Sequence, residues 1–317
     1  MGSGVTERFA IACPASGLVA NRYQLIAEVA RGGCGAVFEA HDHHLDRLVA
    51  IKILQAGSFD RAGAARFDRE ARVAAAIHHP NVCAVTDSGV LEDDSPFLVM
   101  ERLYGETLRS YVARSGRLDA DEAIELAVQM LSGLEAAHAL GIVHRDMKPE
   151  NVFLVDPDAT QLHPERVKLL DFGMCRRRSP DVALGADDHS LTRAGTVVGT
   201  PEYMAPEQAS GKRKFDRRID LYAVGVMLYE LITGKRAFSG PDPRAVLVAV
   251  LVNDIPPLRK LRPELPAALE RVIARAVERD PRARYESTGV FQHELLHART
   301  TLRRERAAAR QYGKVGT

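Results

Sequence analysis

Three side chains in one short run have the types and spacing for phosphoryl transfer. In His144-Arg145-Asp146-Met147-Lys148-Pro149-Glu150-Asn151, Asp146 can orient a hydroxyl and accept its proton. Lys148, two residues on, can neutralise a γ-phosphate, and Asn151 can reach a metal ion. A polar run with a proline after the apolar Gly141-Ile142-Val143 is also what a plain surface loop looks like. The spacing gains meaning only if the rest of the chemistry is present. Transfer from ATP needs a cover for the phosphates, a cation on them, metal ligands and a group that orients the attacking hydroxyl.

Each part has a candidate, and each candidate has a plainer reading. Ala30-Arg31-Gly32-Gly33-Cys34-Gly35-Ala36-Val37 would cover the phosphates, because glycines between two strands let backbone N–H groups approach phosphate oxygens. A Gly-Gly pair alone more commonly just turns a hairpin. Lys52 lies in the apolar strand Val49-Ala50-Ile51-Lys52, where an ammonium is costly unless paired. It is either an edge-strand lysine reaching water or a partner of Glu70, held on the α- and β-phosphates. Glu70 by itself reads as a solvated helix residue. Asp171-Phe172-Gly173 follows a short strand. A carboxylate there suits a Mg²⁺ ligand that bridges phosphates, although the tripeptide is common by chance.

The elements that must position these groups change character along the chain. Strands are expected at Tyr23–Ile26, Ala36–Ala40, Arg47–Leu54, Val82–Val90 and Phe97–Leu103, from β-branched and apolar runs. One helix is expected over residues 61–77, with Phe67, Ala71, Ala74 and Ile77 at helical spacing, ended by Pro80. After Gly105 the pattern is helical, over 106–114, 119–140, 216–233, 243–252, 266–278 and 287–308. Short strands interrupt it at Val152–Val155 and Val167–Leu170. Residues 171–207 read as a long polar loop. The division expected is a leader at 1–22, a domain at 23–297 with parts at about 23–103 and 104–297, and a basic tail or linker at 298–317. A site in the cleft between the two parts follows from where the glycine-rich turn and the His-Arg-Asp run fall.

Composition narrows the function classes. The 317 residues, 46% hydrophobic and 27% charged, have the balance of a folded soluble protein. A net charge of +1 does not point to nucleic acid or an anionic membrane. Cys13, Cys34, Cys83 and Cys175 are scattered, which argues against a zinc site or disulfide framework and for a reducing compartment. No apolar run approaches the roughly 20 residues of a membrane span. A cytoplasmic protein is expected.

Taken in order, these segments resemble the protein kinase superfamily, over about Tyr23 to His297. Gly199-Thr200-Pro201-Glu202-Tyr203-Met204-Ala205-Pro206-Glu207 resembles the substrate-positioning loop and its closing Ala-Pro-Glu. Asp220-Leu221-Tyr222-Ala223-Val224-Gly225 resembles the start of the central buried helix. Lys148 and Thr200 are similar to the serine/threonine branch. The Gly32–Gly35 turn, His79-Pro80-Asn81-Val82 and Tyr222 are similar to the bacterial subgroup.

The resemblance implies an α+β bilobal fold, with a small antiparallel sheet and one main helix in the first lobe and a larger, mostly helical second lobe. It implies ATP and Mg²⁺ as cofactors, and catalysis by Asp146, Lys148 and Lys52. ATP would meet Ala30, Arg31, Gly32, Gly33, Cys34, Gly35, Val37, Ala50, Lys52, Glu70, Glu101, Leu103 and Phe153, and the metal Asn151 and Asp171. Thr200, Glu207, Asp220 and Arg284 would position the substrate: Thr200 bonds Asp146 and Lys148, Asp220 braces the catalytic loop, and Arg284 pairs with Glu207. Arg145 would bind a phosphorylated residue of the activation loop, namely Thr192, with Thr196 and Ser190 as lesser candidates and Arg176 or Lys168 assisting. The implied partners are Ser/Thr-bearing proteins and a transient homodimer for autophosphorylation, with no nucleic acid and no membrane segment in this chain.

Three departures stand out. Ala30 replaces the first glycine of the phosphate loop, Cys34 sits at its tip, and the loop from Asp171 to Glu207 is long, with Arg176-Arg177-Arg178. Cys34 and Cys175 read as inert thiols. Two other functions stay open: a pseudokinase that binds without transfer, and a small-molecule kinase, which the segment 199–207 argues against.

Overall fold

The computed structural model describes residues 17–32, 35–54, 71, 73–156, 166–172, 200–212 and 215–313. The described residues fall into two compact units. Those of Met1–Ala76 and Cys83–Leu103 form the first, and those of Ile77–Val82, Tyr104–Gly173 and Ser179–Thr317 form the second.

The first unit is an antiparallel sheet in the order β1-β2-β3-β4-β6-β5. Its strands are β1 (Leu18–Val19), β2 (Tyr23–Gly32), β3 (Gly35–Asp42), β4 (Arg47–Leu54), β5 (Val85–Val90) and β6 (Pro96–Glu101). Strand alternation places Ala36, Phe38, Ala40, Val49, Ile51, Ile53, Phe97 and Val99 in one buried cluster, the apolar face expected of a period of two. The other face carries the cross-strand pairs Ala30–Val37, Val37–Lys52, Lys52–Leu98 and Ala50–Met100. Ala30, Val37, Ala50 and Lys52 therefore share a face opposite the unit's apolar core.

Strand β4 lies between β3 and β6, and Lys52 is only 9% exposed. The reading of an edge-strand lysine reaching water is overturned, because both sides of β4 are occupied by strands. At the β2–β3 turn, a Cβ on Gly35 would lie 2.1 Å from the Ile53 carbonyl oxygen, so only glycine fits there. Val82 makes one isolated bridge, to Leu169, so the strand expected from Val82 begins instead at Val85. Residues 71 and 73–75 are helical, the end of the helix expected over 61–77. The rest of that helix lies outside the described residues.

The second unit is helical around a small sheet of β7 (Gly105–Thr107), β8 (Val152–Val155) and β9 (Val167–Leu169). Its helices are α1 (Leu108–Ser115), α2 (Ala120–Ala139), α3 (Pro206–Ala209), α4 (Arg218–Thr233), α5 (Pro243–Val252), α6 (Leu258–Leu261), α7 (Ala267–Ala276) and α8 (Thr288–Gly313). Helix α2 starts at the expected cap, with the Asp119 carboxylate accepting from Asp121 N–H at 2.9 Å, which satisfies one orphan donor of the first turn. Helix α4 is buried on all sides from Ile219 to Thr233, as an all-round apolar sequence requires. Gly225 makes its packing on α7 feasible, since a Cβ there would meet Ala276 Cβ at 2.7 Å. Several features were not expected from the pattern: β1, which pairs with β2 inside the stretch expected to be a leader, the 3-10 turn Pro149–Asn151, β7, the short α6, and structure at the end of the 171–207 loop, where a 3-10 turn (Pro201–Tyr203) precedes α3.

Helix α8 also outruns its expected end. Arg299 and Arg303 donate to Asp121 at 2.6–3.1 Å, and Arg306 to Asp119 at 2.7–3.0 Å. Arg299 also pairs with Glu125. The basic stretch that reads as a tail is thus, up to Arg306, one face of a helix set against acids of α2.

Candidate active site

The loop from His144 to Asn151 is held from three directions, all within the second unit. Asp220, at the start of α4 and 1% exposed, accepts from the backbone N–H of His144 and of Arg145, both at 2.9 Å. His138 of α2 adds a third bond, Nε2 to the same carboxylate at 2.8 Å. A buried carboxylate needs this many donors to offset its desolvation. The bonds also impose shape: Arg145 sits at φ 68°, a left-handed conformation that costs a residue with a Cβ about 1–2 kcal/mol.

His144 ties the loop to the strand beyond it. The Asp146 N–H donates to His144 Nδ1 at 3.3 Å, so His144 carries its proton on Nε2 and donates it to the Leu170 carbonyl at 2.8 Å. The imidazole is fully buried and lies 4.6 Å from the Phe172 ring. Leu170 N–H in turn donates to the Asn151 carbonyl at 2.9 Å. Asn151 is thereby fastened to the residue preceding Asp171.

Two of the three chemically suited side chains converge on the carboxylate of the third. Lys148 Nζ lies 2.8 Å from Asp146 Oδ2, and Asn151 Nδ2 lies 3.1 Å from the same oxygen and 2.8 Å from the Asp146 carbonyl. Asp146 and Lys148 are partly exposed, at 22% and 19% of their side chains, as groups that meet a reactant must be. With Nδ2 spent on Asp146, Asn151 keeps its amide oxygen for a hard cation. Asp171, at φ 56°, directly follows Leu170, whose N–H is bonded to Asn151. Among the described residues no three His, Cys, Asp or Glu side chains form a metal-holding group. One amide oxygen and one carboxylate fit Mg²⁺ of the kind that takes its remaining ligands from phosphates and water.

Of the residues expected to position a substrate, Asp220, Glu207 and Arg284 are tied into the second unit by hydrogen bonds. Glu207 and Arg284 form a two-pronged pair, Nη1 and Nη2 each 2.8 Å from a carboxylate oxygen. Arg284 is fully buried, its guanidinium 4.6 Å over the Tyr222 ring. Thr200 makes no hydrogen bond to Asp146 or Lys148 among the described residues, where those two pair directly. Arg145 is exposed, with its guanidinium over the Phe215 ring at 5.8 Å and no ion pair among the described residues.

In the first unit, Arg31 Nε donates to Glu28 at 2.8 Å, and the Glu101 carboxylate accepts from Ala84 N–H at 2.8 Å. Leu103 is buried and its carbonyl accepts from Arg102. Phe153, in the second unit, pairs in register with Thr107 and Lys168. Gly33, Cys34, Glu70, Cys175, Arg176, Ser190, Thr192 and Thr196 lie outside the described residues.

The sequence pattern described as "Protein kinase domain" matches residues 23–296. This chain belongs to the protein kinase family. It is 39% identical over 92% of its length to serine/threonine-protein kinase pkn3 of Myxococcus xanthus. It is 36% identical over 88% of its length to serine/threonine-protein kinase PrkC of Bacillus subtilis. It covers 53% and 41% of those chains, so it spans about half the length of the curated relatives it matches. The crystal structure of the Mycobacterium tuberculosis PknI kinase domain superposes with a TM-score of 0.68 at 25% identity, over 90% of this chain and 99% of that one. The fold is accordingly the α+β protein kinase fold.

Several residues of this kinase domain that hold the site carry no local sequence signal. One is His138, spaced as an ordinary α2 residue. Another is Gln208, whose amide accepts from Ala205 N–H and donates to the Arg145 carbonyl, both at 3.1 Å. A third group is Arg109, which donates to Glu150 at 2.9 Å, to Glu230 at 3.1 Å and to the Tyr203 hydroxyl. Tyr203 also donates to Glu230, and burial together with that carboxylate pushes its hydroxyl pKa well up. Apart from the Gln208–Ala205 contact, each of these links joins residues at least 27 positions apart, which periodicity does not encode.

Proposed function

We propose that this domain transfers the γ-phosphoryl group of ATP to serine or threonine hydroxyls of protein substrates. The observation that carries the reading is the convergence of Lys148 and Asn151 on Asp146, in a loop clamped by Asp220. ATP with Mg²⁺, when bound, supplies the phosphoryl group and the charge that offsets its phosphates. Asn151 and Asp171 would hold the cation, and Lys52 with Glu70 the phosphates. Asp146 orients the acceptor hydroxyl and takes its proton on a carboxylate oxygen. Lys148, held on that carboxylate, places a positive charge beside the transferring group. The segment 200–207, anchored by the Glu207–Arg284 pair, seats the acceptor peptide.

Regulation follows from Arg145. A guanidinium with no carboxylate partner among the described residues, one residue before the candidate base, suits a phosphorylated side chain. Phosphate on Thr192 or Thr196, added by a second copy in a transient homodimer, would be its ligand.

Purified protein incubated with Mg-ATP, followed by phosphosite mapping, tests both statements. The expected result is phosphoserine and phosphothreonine, including sites within 190–196. Asp146→Asn should lower incorporation by about 10²–10⁴-fold. Undiminished incorporation by that variant would overturn the assignment, and nucleotide binding without transfer by the wild type would favour a pseudokinase.

A further inference from the structure

The carboxamide of Gln208 joins the acceptor-seating segment to the catalytic loop. Gln208 is the third residue of α3, the helix that follows the 3-10 turn Pro201–Tyr203. Its Oε1 accepts from the backbone N–H of Ala205 at 3.1 Å, and its Nε2 donates to the carbonyl of Arg145 at 3.1 Å. A backbone N–H only donates and a carbonyl only accepts, so a single orientation of the amide satisfies both contacts.

The carbonyl it grips belongs to the peptide bond that joins Arg145 to Asp146. The other end of Arg145 is also held, its N–H by Asp220 Oδ1 at 2.9 Å. Between these two bonds Arg145 stands at φ 68°, a conformation that persists only where its surroundings over-determine it. Asp220 fixes the peptide plane on the near side of Arg145, and Gln208 fixes the plane that carries Asp146.

We propose that Gln208 is a positioning residue. By holding the Arg145–Asp146 peptide, it brings the Asp146 carboxylate into working orientation only when the 205–209 segment is folded in place. The inference rests on the transfer activity proposed above and deepens it. The residue type matters on both counts. Asparagine is one methylene short. Methionine keeps the length but has neither group. Glutamate keeps the acceptor for Ala205 N–H and loses the donor for Arg145.

That last difference separates the two roles of the side chain. As a mere helix cap, Gln208 could be replaced by Glu at no cost, since Glu is an equally good acceptor at the third helical position. As a positioning residue it could not. The experiment uses the full chain with Mg-ATP and a serine- or threonine-containing peptide. Q208E is expected to unfold within about 2 °C of the wild type. Its kcat is expected to fall by about 5- to 20-fold, with KM for ATP unchanged. Q208M, which loses both contacts, should lose kcat to at least the same degree. If Q208E is unstable, Q208M compared with the wild type at equal folded fraction decides the question. A Q208E enzyme that transfers at the wild-type rate overturns the positioning role and leaves the kinase reading standing. An inactive wild type takes down both.

Discussion

Two arginine–carboxylate assemblies in the second unit use the same chemistry to different ends. Arg284 and Glu207 are buried, and Arg284 also donates to the carbonyls of Glu278, Arg218 and Arg279 at 2.6–3.3 Å. Every donor it brought out of water has an acceptor. The second assembly runs along α8, where Arg299, Arg303 and Arg306 face Asp119, Asp121 and Glu125 of α2. Its side chains are between 17% and 59% exposed. The buried pair adds little net stability over an apolar replacement, yet breaking it leaves a charge stranded. It fixes α3 against the residues around Arg284. The surface ladder is screened by water and salt, and holds a helix end whose position several weak contacts share.

The sharpest way to break this comparison is Arg284→Met. It strands the Glu207 carboxylate and is expected to cost about 3–5 kcal/mol of unfolding free energy, read by urea denaturation. Adding Glu207→Leu should restore much of the loss. A single-variant loss below about 1 kcal/mol would show that the pair is no more than a surface bridge.

Asp121→Asn is the matching change in the ladder. It removes the partner of two arginines, yet is expected to cost only about 1 kcal/mol or less. Its effect should fade between low salt and 1 M NaCl, where the screening length falls to about 3 Å. The Arg284→Met penalty should hold at both salt levels.

The ladder should also respond to acid. Hydrogen bonds from Arg303 and Arg299 hold the Asp121 carboxyl well below its usual range, and that from Arg306 lowers Asp119. Folded-state values below the unfolded value mean stability that is fully present above about pH 4 and is lost as pH falls through the folded values. The melting-temperature gap between wild type and Asp121→Asn should therefore narrow below about pH 4. A gap that widens on acidification contradicts the pairing. The smallest effect belongs to Glu125→Gln, which among the described residues pairs with Arg299, at a side chain 44% exposed. A few tenths of a kcal/mol is expected.

Much of the fold was legible in the sequence because it is written in local pattern. Arg47–Leu54, Ala120–Ala139 and Pro243–Val252 lie within a residue or so of the expected elements, since each is a continuous run with one period. One boundary drifted where a tertiary contact intervened: the strand expected from Val82 waits until Val85, Val82 bridging Leu169 instead. Helix α8 runs past its expected end to Gly313, beyond its last ion pair with the acids at Arg306. The end of the 171–207 loop reads as featureless because three-residue turns have no period to detect.

The same division holds for the site. That Asp146, Lys148 and Asn151 reach one another was legible in the sequence alone, because they lie within one six-residue stretch of chain. What decided that Lys52 is buried rather than exposed was the placing of β4 between two other strands. The resemblance implied a brace from Asp220, but that His138 holds Asp220 and that Gln208 grips the Arg145 carbonyl was decided only by the packing of α2, α3 and α4 on the loop. Side-chain pattern states which face of an element is apolar. It does not state which backbone carbonyl, 63 residues away, that face will bring within reach.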